Sequence, residues 1–363
     1  MDKKDEIILQ QLEVIRTMTE RNLRSMGDDF WGTPFEGVLS PKSPSAPPSG
    51  GTPVGSADGK MPAQPSDGKT AGGQPAAKTE KAEVVEPLPK EDMKDLQAEL
   101  DSYIGLATVK EEVRNLINMA SVYKLRRQHD LPTTDMSLHM VFTGNPGTGK
   151  TMMARMMARI YRSLDILSKG QLVEVDRSGL VAGYVGQTAI KTQKVIQKAI
   201  GGVLFIDEAY ALNGKSENDF GQEAIDTILK AMEDHRDDLV VIVAGYTDLM
   251  DRFIHSNPGL ESRFNRFLLF EDYTPDEMLD IFKMQCKKGC YQLSDGVEEL
   301  VRDYITEENG DPETFGNARG VRNIFEHILV AQNNRLAAME TVTKEDLMTL
   351  TQDDVLHARG KLD

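Results

Sequence analysis

The octapeptide from Gly144 to Thr151 constrains the fold of this chain more than any other segment. Its sequence, Gly-Asn-Pro-Gly-Thr-Gly-Lys-Thr, fits the pattern G-x-x-x-x-G-K-[ST]. It follows an apolar run at 138–142 and precedes a stretch with helical periodicity, so we expect a strand, a loop and a helix in that order. Glycines let backbone N–H groups approach phosphate oxygens, and the dipole of the following helix favours an anion there. The segment therefore predicts a phosphate-binding loop.

The residue types within this loop predict separate tasks. The ammonium group of Lys150 is expected to reach the β- and γ-phosphates of a nucleotide, and the hydroxyl of Thr151 to ligate Mg²⁺. A glycine-rich turn without a ligand is the alternative, and the flanking strand and helix argue against it. The candidate nucleotide-binding residues of this segment are Asn145, Pro146, Gly147, Thr148, Gly149, Lys150, Thr151 and Met152.

A second motif, from Val203 to Glu208, ends an apolar strand on two adjacent carboxylates. Asp207 is expected to hold Mg²⁺ through its water shell, and Glu208 lies where it can polarise an attacking water as a general base. GTPases with a similar phosphate loop usually lack the second acid. Together the two motifs predict that a nucleotide and Mg²⁺ bind here and that the nucleotide is hydrolysed, rather than used to phosphorylate another substrate.

The rest of residues 91–272 alternates strand and helix patterns, which is typical of an α/β domain with a parallel sheet. The five predicted strands are 138–142, 172–175, 203–206, 239–244 and 267–270. After Asp272 the strand patterns stop, and Thr274 begins a capping box with proline at the first helical position. Helical patterns follow at 275–287, 297–308 and 318–339. Residues 273–363 are therefore predicted to form a small all-helical lid.

Residues 32–90 have the composition of a disordered linker. Eleven of the sixteen prolines lie between Pro34 and Pro89. Such a segment has too few large apolar side chains to offset the entropy lost on ordering.

Residues 1–31 are predicted to form one amphipathic helix, because Ile8, Leu12, Ile15 and Leu23 recur near the helical period. Two interpretations stay open. The helix could dock on its own ATPase domain or self-associate, or it could recruit a protein partner.

The net charge and the scarcity of cysteine exclude several classes of function. The formal net charge is −16 at pH 7, which argues against a general affinity for nucleic acid or anionic membranes. No apolar run approaches the roughly 18 residues that a membrane span needs, so no membrane insertion is expected. The two cysteines, Cys286 and Cys290, are interpreted as ordinary helix residues rather than zinc ligands. A reducing, cytoplasmic location is expected.

The two motifs, with a helical region behind them, resemble those of AAA+ ATPases. The finer pattern is similar to the CbxX/CfqX group, which includes red-type rubisco activase, stage V sporulation protein K and type VII secretion ATPases. The resemblance runs from about residue 92 to residue 354, so residues 1–90 lie outside it. Besides the two motifs, the segments that carry it are 100–106, 183–188, 244–246, 257–264 and 316–319.

The resemblance implies further roles around the nucleotide. Ile104 and Gly105 would contact the adenine. Arg263 would be an arginine finger that reaches the nucleotide of a neighbouring subunit, with Arg266 as a possible second finger. Salt bridges to Glu261 or Asp272 are the alternative for both arginines. Separately, Arg319 matches the sensor 2 arginine of the lid, with Arg322 as its substitute.

The family pattern also implies a pore loop, formed by Tyr184, Val185 and Gly186. An exposed aromatic side chain beside glycines can grip an extended peptide; a tyrosine packed over the sheet edge is the alternative. Many AAA+ proteins carry an asparagine as sensor 1 after the fourth strand, and none is present here. Tyr246 and Thr247 are the two candidates for that role.

These features predict an AAA+ ring, most simply a hexamer, that hydrolyses ATP and remodels a protein client through its pore loops. The N-terminal helix would recruit the client or a partner. An ATP-switched scaffold or assembly factor that does not thread its substrate is the alternative. A nucleic-acid motor is disfavoured by the acidic composition.

Overall fold

The computed structural model describes residues 86–132, 137–184, 186–214 and 220–360. The predicted helix at 1–31, the linker up to residue 85 and Val185 of the predicted pore loop lie outside the described residues. No helix within the described ranges is long and apolar enough to cross a membrane.

Five parallel strands form the central sheet, as predicted. The strands are β1 (Met140–Thr143), β2 (Leu172–Val175), β3 (Val203–Ile206), β4 (Val240–Gly245) and β5 (Phe267–Leu269). Their order across the sheet is β2-β3-β4-β1-β5. β1 therefore lies between β4 and β5, with Val141 paired to Val243 on one side and to Phe267 on the other. The central strands are buried on both faces, which explains why they read as continuous apolar runs.

Helices cover both faces of the sheet. The helices of the α/β region are α1 (Met93–Ser102), α2 (Ala107–Gln128), α3 (Lys150–Ser163), α4 (Arg177–Leu180), α5 (Thr188–Ala199), α6 (Gly221–Asp234), α7 (Thr247–His255) and α8 (Pro258–Arg263), with a 3₁₀ turn at Ala209–Leu212. Side chains alternate along β1, so Phe142 packs with α1, α2 and α3, whereas Val141 packs with α5, α6 and α7. This packing holds the sheet in place, and the candidate site lies beside the carboxyl ends of its strands.

The lid, described here up to residue 360, contains six helices and one short ladder. Its helices are α9 (Pro275–Lys288), α10 (Val297–Glu308), α11 (Pro312–Phe315), α12 (Ala318–Ala337), α13 (Lys344–Met348) and α14 (Gln352–Ala358). The predicted capping box of Thr274 and Glu277 is present at the start of α9. Two parallel strands, β6 (Gln292–Leu293) and β7 (Thr349–Leu350), depart from the all-helical prediction. They are two residues each, too short to produce a periodic pattern in the sequence.

Two of the last five residues of the predicted linker, Leu88 and Lys90, contact the α/β domain. The N–H of Leu88 donates to the carbonyl of Lys169 at 2.8 Å, and Nε of Arg162 donates to the carbonyl of Leu88 at 3.0 Å. Lys90 forms an ion pair with Asp165. The first described residues therefore lie against the end of α3 and the residues that follow it, because the N–H and the carbonyl of Leu88 form hydrogen bonds there.

Candidate nucleotide site

A cavity of about 370 Å³ opens where the central strands end. The phosphate loop follows β1, Asp207 follows β3 and Gly245 ends β4, so the carboxyl ends of neighbouring parallel strands converge on it. Crevices of this kind are the usual ligand sites of open α/β sheets. The residues that line the cavity are Gly144, Pro146, Gly147, Gly149, Lys150, Thr151, Arg155, Glu174, Asp207, Glu208, Gly245, Tyr246, Arg319 and Arg322.

Gly147 and Gly149 of the phosphate loop have backbone conformations that favour glycine. Gly147 has a φ of +73° and Gly149 one of +95°, a region that favours glycine. A β-carbon on Gly147 would also overlap the carbonyl oxygen of Gly316, which belongs to the lid. The hydroxyl of the buried Thr148 donates to the carbonyl of Asn145 at 2.8 Å and stabilises the turn. The loop therefore presents bare backbone to the cavity.

The ammonium group of Lys150 is held at the centre of the loop. Its Nζ donates to the carbonyl oxygens of Gly144 and Asn145 at 2.8 and 2.7 Å. Burial lowers the pKa of Lys150 to about 8, while the carboxylate of Asp207 acts in the opposite direction. The amine is therefore cationic at neutral pH but close to its titration range.

Thr151 and Asp207 offer oxygen atoms to the same cavity. One carboxylate oxygen of Asp207 accepts a hydrogen bond from the backbone N–H of Glu208 at 3.0 Å. A hydroxyl and a carboxylate are donors that Mg²⁺ prefers, and this ion is commonly held by one or two protein oxygens with water and phosphate completing its shell. The residues present therefore fit a magnesium ion.

Glu208 lies at a reversal of the backbone, with a φ of +48°. The 3₁₀ turn at Ala209–Leu212 follows directly. Burial, followed by the charge of Glu208, raises the pKa of Tyr210 to about 12. Both Glu208 and Asp207 line the cavity, as their assignment to hydrolysis requires.

Tyr246 is the sensor 1 candidate that lines the cavity. Its ring centroid lies 6.2 Å from that of Tyr210. Burial, and then the negative charges of Glu313 and Glu208, raise the pKa of Tyr246. The other candidate, Thr247, is the first residue of α7 and is absent from the lining of this cavity.

One ion pair within the site was not predicted from the sequence. Nη2 of Arg155 lies 3.1 Å from a carboxylate oxygen of Glu174, and both residues line the cavity. Burial raises the pKa of Glu174, with a further contribution from Asp207. The signal in the sequence was weak but present, because Glu174 is the single charged residue of the predicted strand 172–175 and Arg155 lies one helical turn beyond Thr151.

The lid contributes two arginines to the cavity. Arg319 and Arg322 both line it, so the predicted sensor 2 residue and its substitute are present together. Nε of Arg322 donates to Glu326 on the same helix at 2.8 Å. The backbone N–H of Ala318 donates to the carbonyl of Gly147 at 3.3 Å. The start of α12 is thus in direct contact with the phosphate loop.

Arg263 and Arg266 do not line the cavity of their own chain. Arg263 ends α8, where its Nη2 lies 3.5 Å from Glu233 and its Nη1 donates to the carbonyl of Gly259 at 3.4 Å. Nε of Arg266 donates to the carbonyl of Ser137 at 3.1 Å. The partners of both arginines therefore differ from the salt bridges to Glu261 or Asp272 considered as the alternative.

Gly105, one of the two predicted adenine-contacting residues, lies against Tyr273, whose hydroxyl contacts the phosphate loop. Gly105 has a φ of +63°, and a β-carbon there would lie 3.1 Å from the ring of Tyr273. The hydroxyl of Tyr273 donates to the carbonyl of Thr148 at 3.4 Å. Ile104 is half-buried against the core. Ile104 and Gly105, together with Asn145, Thr148 and Met152, are not part of the cavity lining.

Tyr184 is 74% exposed in the loop between α4 and α5. A β-carbon built on Gly183 or Gly186 would have no atom within 4 Å. This exposure contradicts the alternative in which the tyrosine packs over the sheet edge.

Comparisons with known proteins identify the family. A model described as the ATPase family associated with various cellular activities (AAA) matches residues 140–272, and one described as the AAA lid domain matches residues 274–362. The crystal structure of the FIGL-1 AAA domain is similar in fold, with a TM-score of 0.51, 18% identity, and coverage of 72% of this chain and 82% of that one.

Relatives with higher identity refine the assignment. The chain is 45% identical to the chloroplastic ribulose bisphosphate carboxylase/oxygenase activase of Cyanidioschyzon merolae, covering 74% of this chain and 92% of that protein. It is 43% identical to the chromosomal protein CbxX of Cupriavidus necator (76% and 88% covered) and 40% identical to stage V sporulation protein K of Bacillus subtilis (72% and 82% covered). The chain therefore belongs to the AAA+ ATPases, within the CbxX/CfqX group, and it hydrolyses ATP.

Proposed function

We propose that this chain is the subunit of a ring-forming remodeller, most simply a hexamer, that applies ATP hydrolysis to a protein client through the Tyr184 loop. The single observation that carries the proposal is the exposure of Tyr184, at 74%, in a domain whose cavity holds both hydrolytic carboxylates. A large aromatic side chain left in solvent between glycines suits contact with another chain.

ATP binding is assigned to the phosphate loop and the lid. Backbone N–H groups of the loop and the ammonium of Lys150 hold the phosphates, and Arg319 approaches the same nucleotide from the lid. Mg²⁺, held by Thr151 and Asp207, would supply charge neutralisation on the phosphates when bound. Glu208 accepts a proton from the attacking water, and Tyr246 orients that water.

The ring is proposed because Arg263 does not line the cavity of its own chain. Its side chain is 31% exposed and is paired with the more exposed Glu233 across 3.5 Å. A surface ion pair of this kind contributes little to stability and can exchange partners. Arg263 is therefore available to a second copy, where a guanidinium beside the γ-phosphate would stabilise developing charge. Arg266, bound to the carbonyl of Ser137, is the weaker candidate for this role.

The client is a protein, recruited by the helix predicted at 1–31, and nucleic acid is not a substrate. The formal net charge of −16 supports the latter part of this proposal, because it opposes phosphate backbones. A reducing, cytoplasmic compartment is proposed from the two free thiols of Cys286 and Cys290.

The test of the remodelling function is the substitution Tyr184→Ala, compared with Tyr184→Phe. Because Tyr184 is exposed, neither change should alter the melting temperature or the basal ATPase rate. We expect Tyr184→Ala to abolish ATP-dependent unfolding of a client fused to the protein, and Tyr184→Phe to retain it. Full activity of Tyr184→Ala would instead support an ATP-switched scaffold that does not thread its substrate.

A further inference from the structure

Three polar side chains join the phosphate loop, the lid and the hinge between them, which we define as Asp272 and Tyr273. Nδ2 of Asn145, in the loop, donates to both carboxylate oxygens of Asp272 at 3.1 and 2.9 Å. Nδ2 of Asn317, at the start of α12, donates to Oδ1 of the same aspartate at 2.8 Å. Asp272 precedes Tyr273, where the chain passes into the lid. One carboxylate therefore connects a residue of the loop with a residue of the lid.

Asn317 is the most constrained member of this cluster. It is fully buried, at 0% exposure, although it is polar. Its Oδ1 accepts from the backbone N–H of Tyr273 at 2.9 Å, and its Nδ2 also donates to the carbonyl of Pro146 at 3.3 Å. The amide group thus contacts the hinge and the phosphate loop at once.

The backbone of Asn317 is held in an unfavourable conformation. Its φ of 54° and ψ of −126° lie outside the regions that residues other than glycine normally occupy. Such conformations persist only where the surroundings impose them, and they are concentrated at functional and switching sites. Here the three side-chain hydrogen bonds impose it.

The conformation of Asn317 sets the position of Arg319. The carbonyl of Gly316 and the N–H of Ala318 flank Asn317, and both are packed against Gly147 of the phosphate loop. Arg319 follows two residues later and lines the cavity. This turn therefore holds the backbone of Arg319 against the loop.

We propose that Asn317 is a positioning residue for ATP hydrolysis, which acts through Arg319 by locking the start of α12 to the phosphate loop and to Asp272. The proposal rests on the nucleotide contact assigned to Arg319 under the proposed function. In this proposal, Asp272 fixes the position of the lid relative to the phosphate loop through its hydrogen bonds with Asn145 and Asn317.

The first test is Asn317→Gly. Glycine adopts the observed backbone conformation without strain, so the turn can form while the amide contacts are lost. We expect kcat to fall by about tenfold or more, with KM changed by less than about threefold, because misplacing a group that acts in the transition state reduces turnover rather than binding. Asn334→Ala, an exposed asparagine on the same helix, is the matched control and should keep the kcat of the wild type. An unchanged kcat in Asn317→Gly overturns the proposal.

A double-mutant cycle separates positioning from general destabilisation. If Asn317 acts through Arg319, the variant Asn317→Gly with Arg319→Ala should be no slower than Arg319→Ala alone. Losses in kcat that multiply overturn the proposal. Full activity of Arg319→Ala alone would contradict the role proposed for Arg319 itself, whereas a slow Arg319→Ala with a fully active Asn317→Gly would overturn only the role of Asn317.

Reversal of the hydrogen-bond polarity gives a test that does not depend on glycine. Asn317→Asp keeps the acceptor for the N–H of Tyr273 but places a carboxylate opposite Asp272, so its kcat should fall. Adding Asp272→Asn restores a donor and acceptor pair between the two positions. Recovery of part of the lost turnover in the double variant supports the contact, because only the carbonyl of Pro146 then still lacks its donor, and a double variant as slow as Asn317→Asp overturns it.

Discussion

The backbone N–H of Glu208 donates to the side-chain carboxylate of Asp207 at 3.0 Å, and Glu208 itself has a φ of +48°. This reversal of the chain gives two adjacent carboxylates separate positions in one cavity. We propose that Asp207 holds the magnesium ion and that Glu208 activates the attacking water. Because the two tasks differ, their loss should have different consequences for binding and for turnover.

Glu208→Gln should retain ATP binding and lose hydrolysis. The amide keeps the shape of the side chain but cannot accept the proton of water, so we expect kcat to fall by about 10²- to 10⁴-fold. Single-turnover hydrolysis and equilibrium binding of ATP measure the two effects separately. Glu345→Gln, an exposed glutamate of the lid, is the control and should match the wild type. Loss of ATP affinity in Glu208→Gln would show that Glu208 acts in binding instead.

The affinity for ADP should weaken as the pH rises above about 8. Burial lowers the pKa of Lys150 to about 8, so the amine of the free protein loses its proton above that pH. Phosphate oxygens favour the charged form, so binding then requires proton uptake, and affinity falls toward tenfold per pH unit. Calorimetry from pH 7 to 9.5, in buffers with different heats of ionisation, detects this uptake. Lys150→Arg should remove the pH dependence, and an ADP affinity of the wild type that is constant over this range would contradict the assignment.

Much of this fold could be read from local sequence, because the sheet strands are apolar runs bounded by turns. The phosphate loop and the Asp207–Glu208 pair were equally visible, since each motif is contiguous along the chain. Contacts between distant segments were not: Arg155 with Glu174, Arg263 with Glu233, and Asn317 with Pro146 and Asp272 all depend on tertiary packing. The β6–β7 ladder was missed because two residues carry no period.

Stability should decline in mild acid because of His139. The ring is 6% exposed, and its Nδ1 accepts from the N–H of Val241 at 3.0 Å, so the folded protein requires the neutral form. Burial, followed by the charge of Arg263, lowers the pKa of His139 from 6.5 to about 4. Between these values the unfolded chain binds more protons, so stability is complete above pH 6.5 and falls as the pH decreases toward 4, by about 3 kcal/mol in total.

Urea unfolding of the wild type and of His139→Gln at pH 7 and pH 5 measures this contribution. The variant is expected to be less stable at pH 7 but to lose less stability between the two pH values, since glutamine does not titrate. The same pH-dependent loss in both proteins would show that His139 does not contribute to it.

The central claim, that the site of one copy is completed by Arg263 of another, is tested most directly by mixing two inactive variants. Glu208→Gln lacks its own hydrolytic carboxylate but can supply Arg263 to a neighbouring copy. Arg263→Ala retains Glu208 but cannot supply an arginine finger, so its own site depends on Arg263 from the other variant. Arg252→Ala, an exposed arginine on α7, controls for the loss of a surface charge, and thermal unfolding of Arg263→Ala controls for the lost pair with Glu233. The account predicts that each variant alone is inactive. The mixture should regain ATP hydrolysis in proportion to the number of interfaces at which Arg263 of a Glu208→Gln copy meets Glu208 of an Arg263→Ala copy. Full activity of Arg263→Ala alone, or a mixture that stays inactive although the two variants co-assemble, would contradict it.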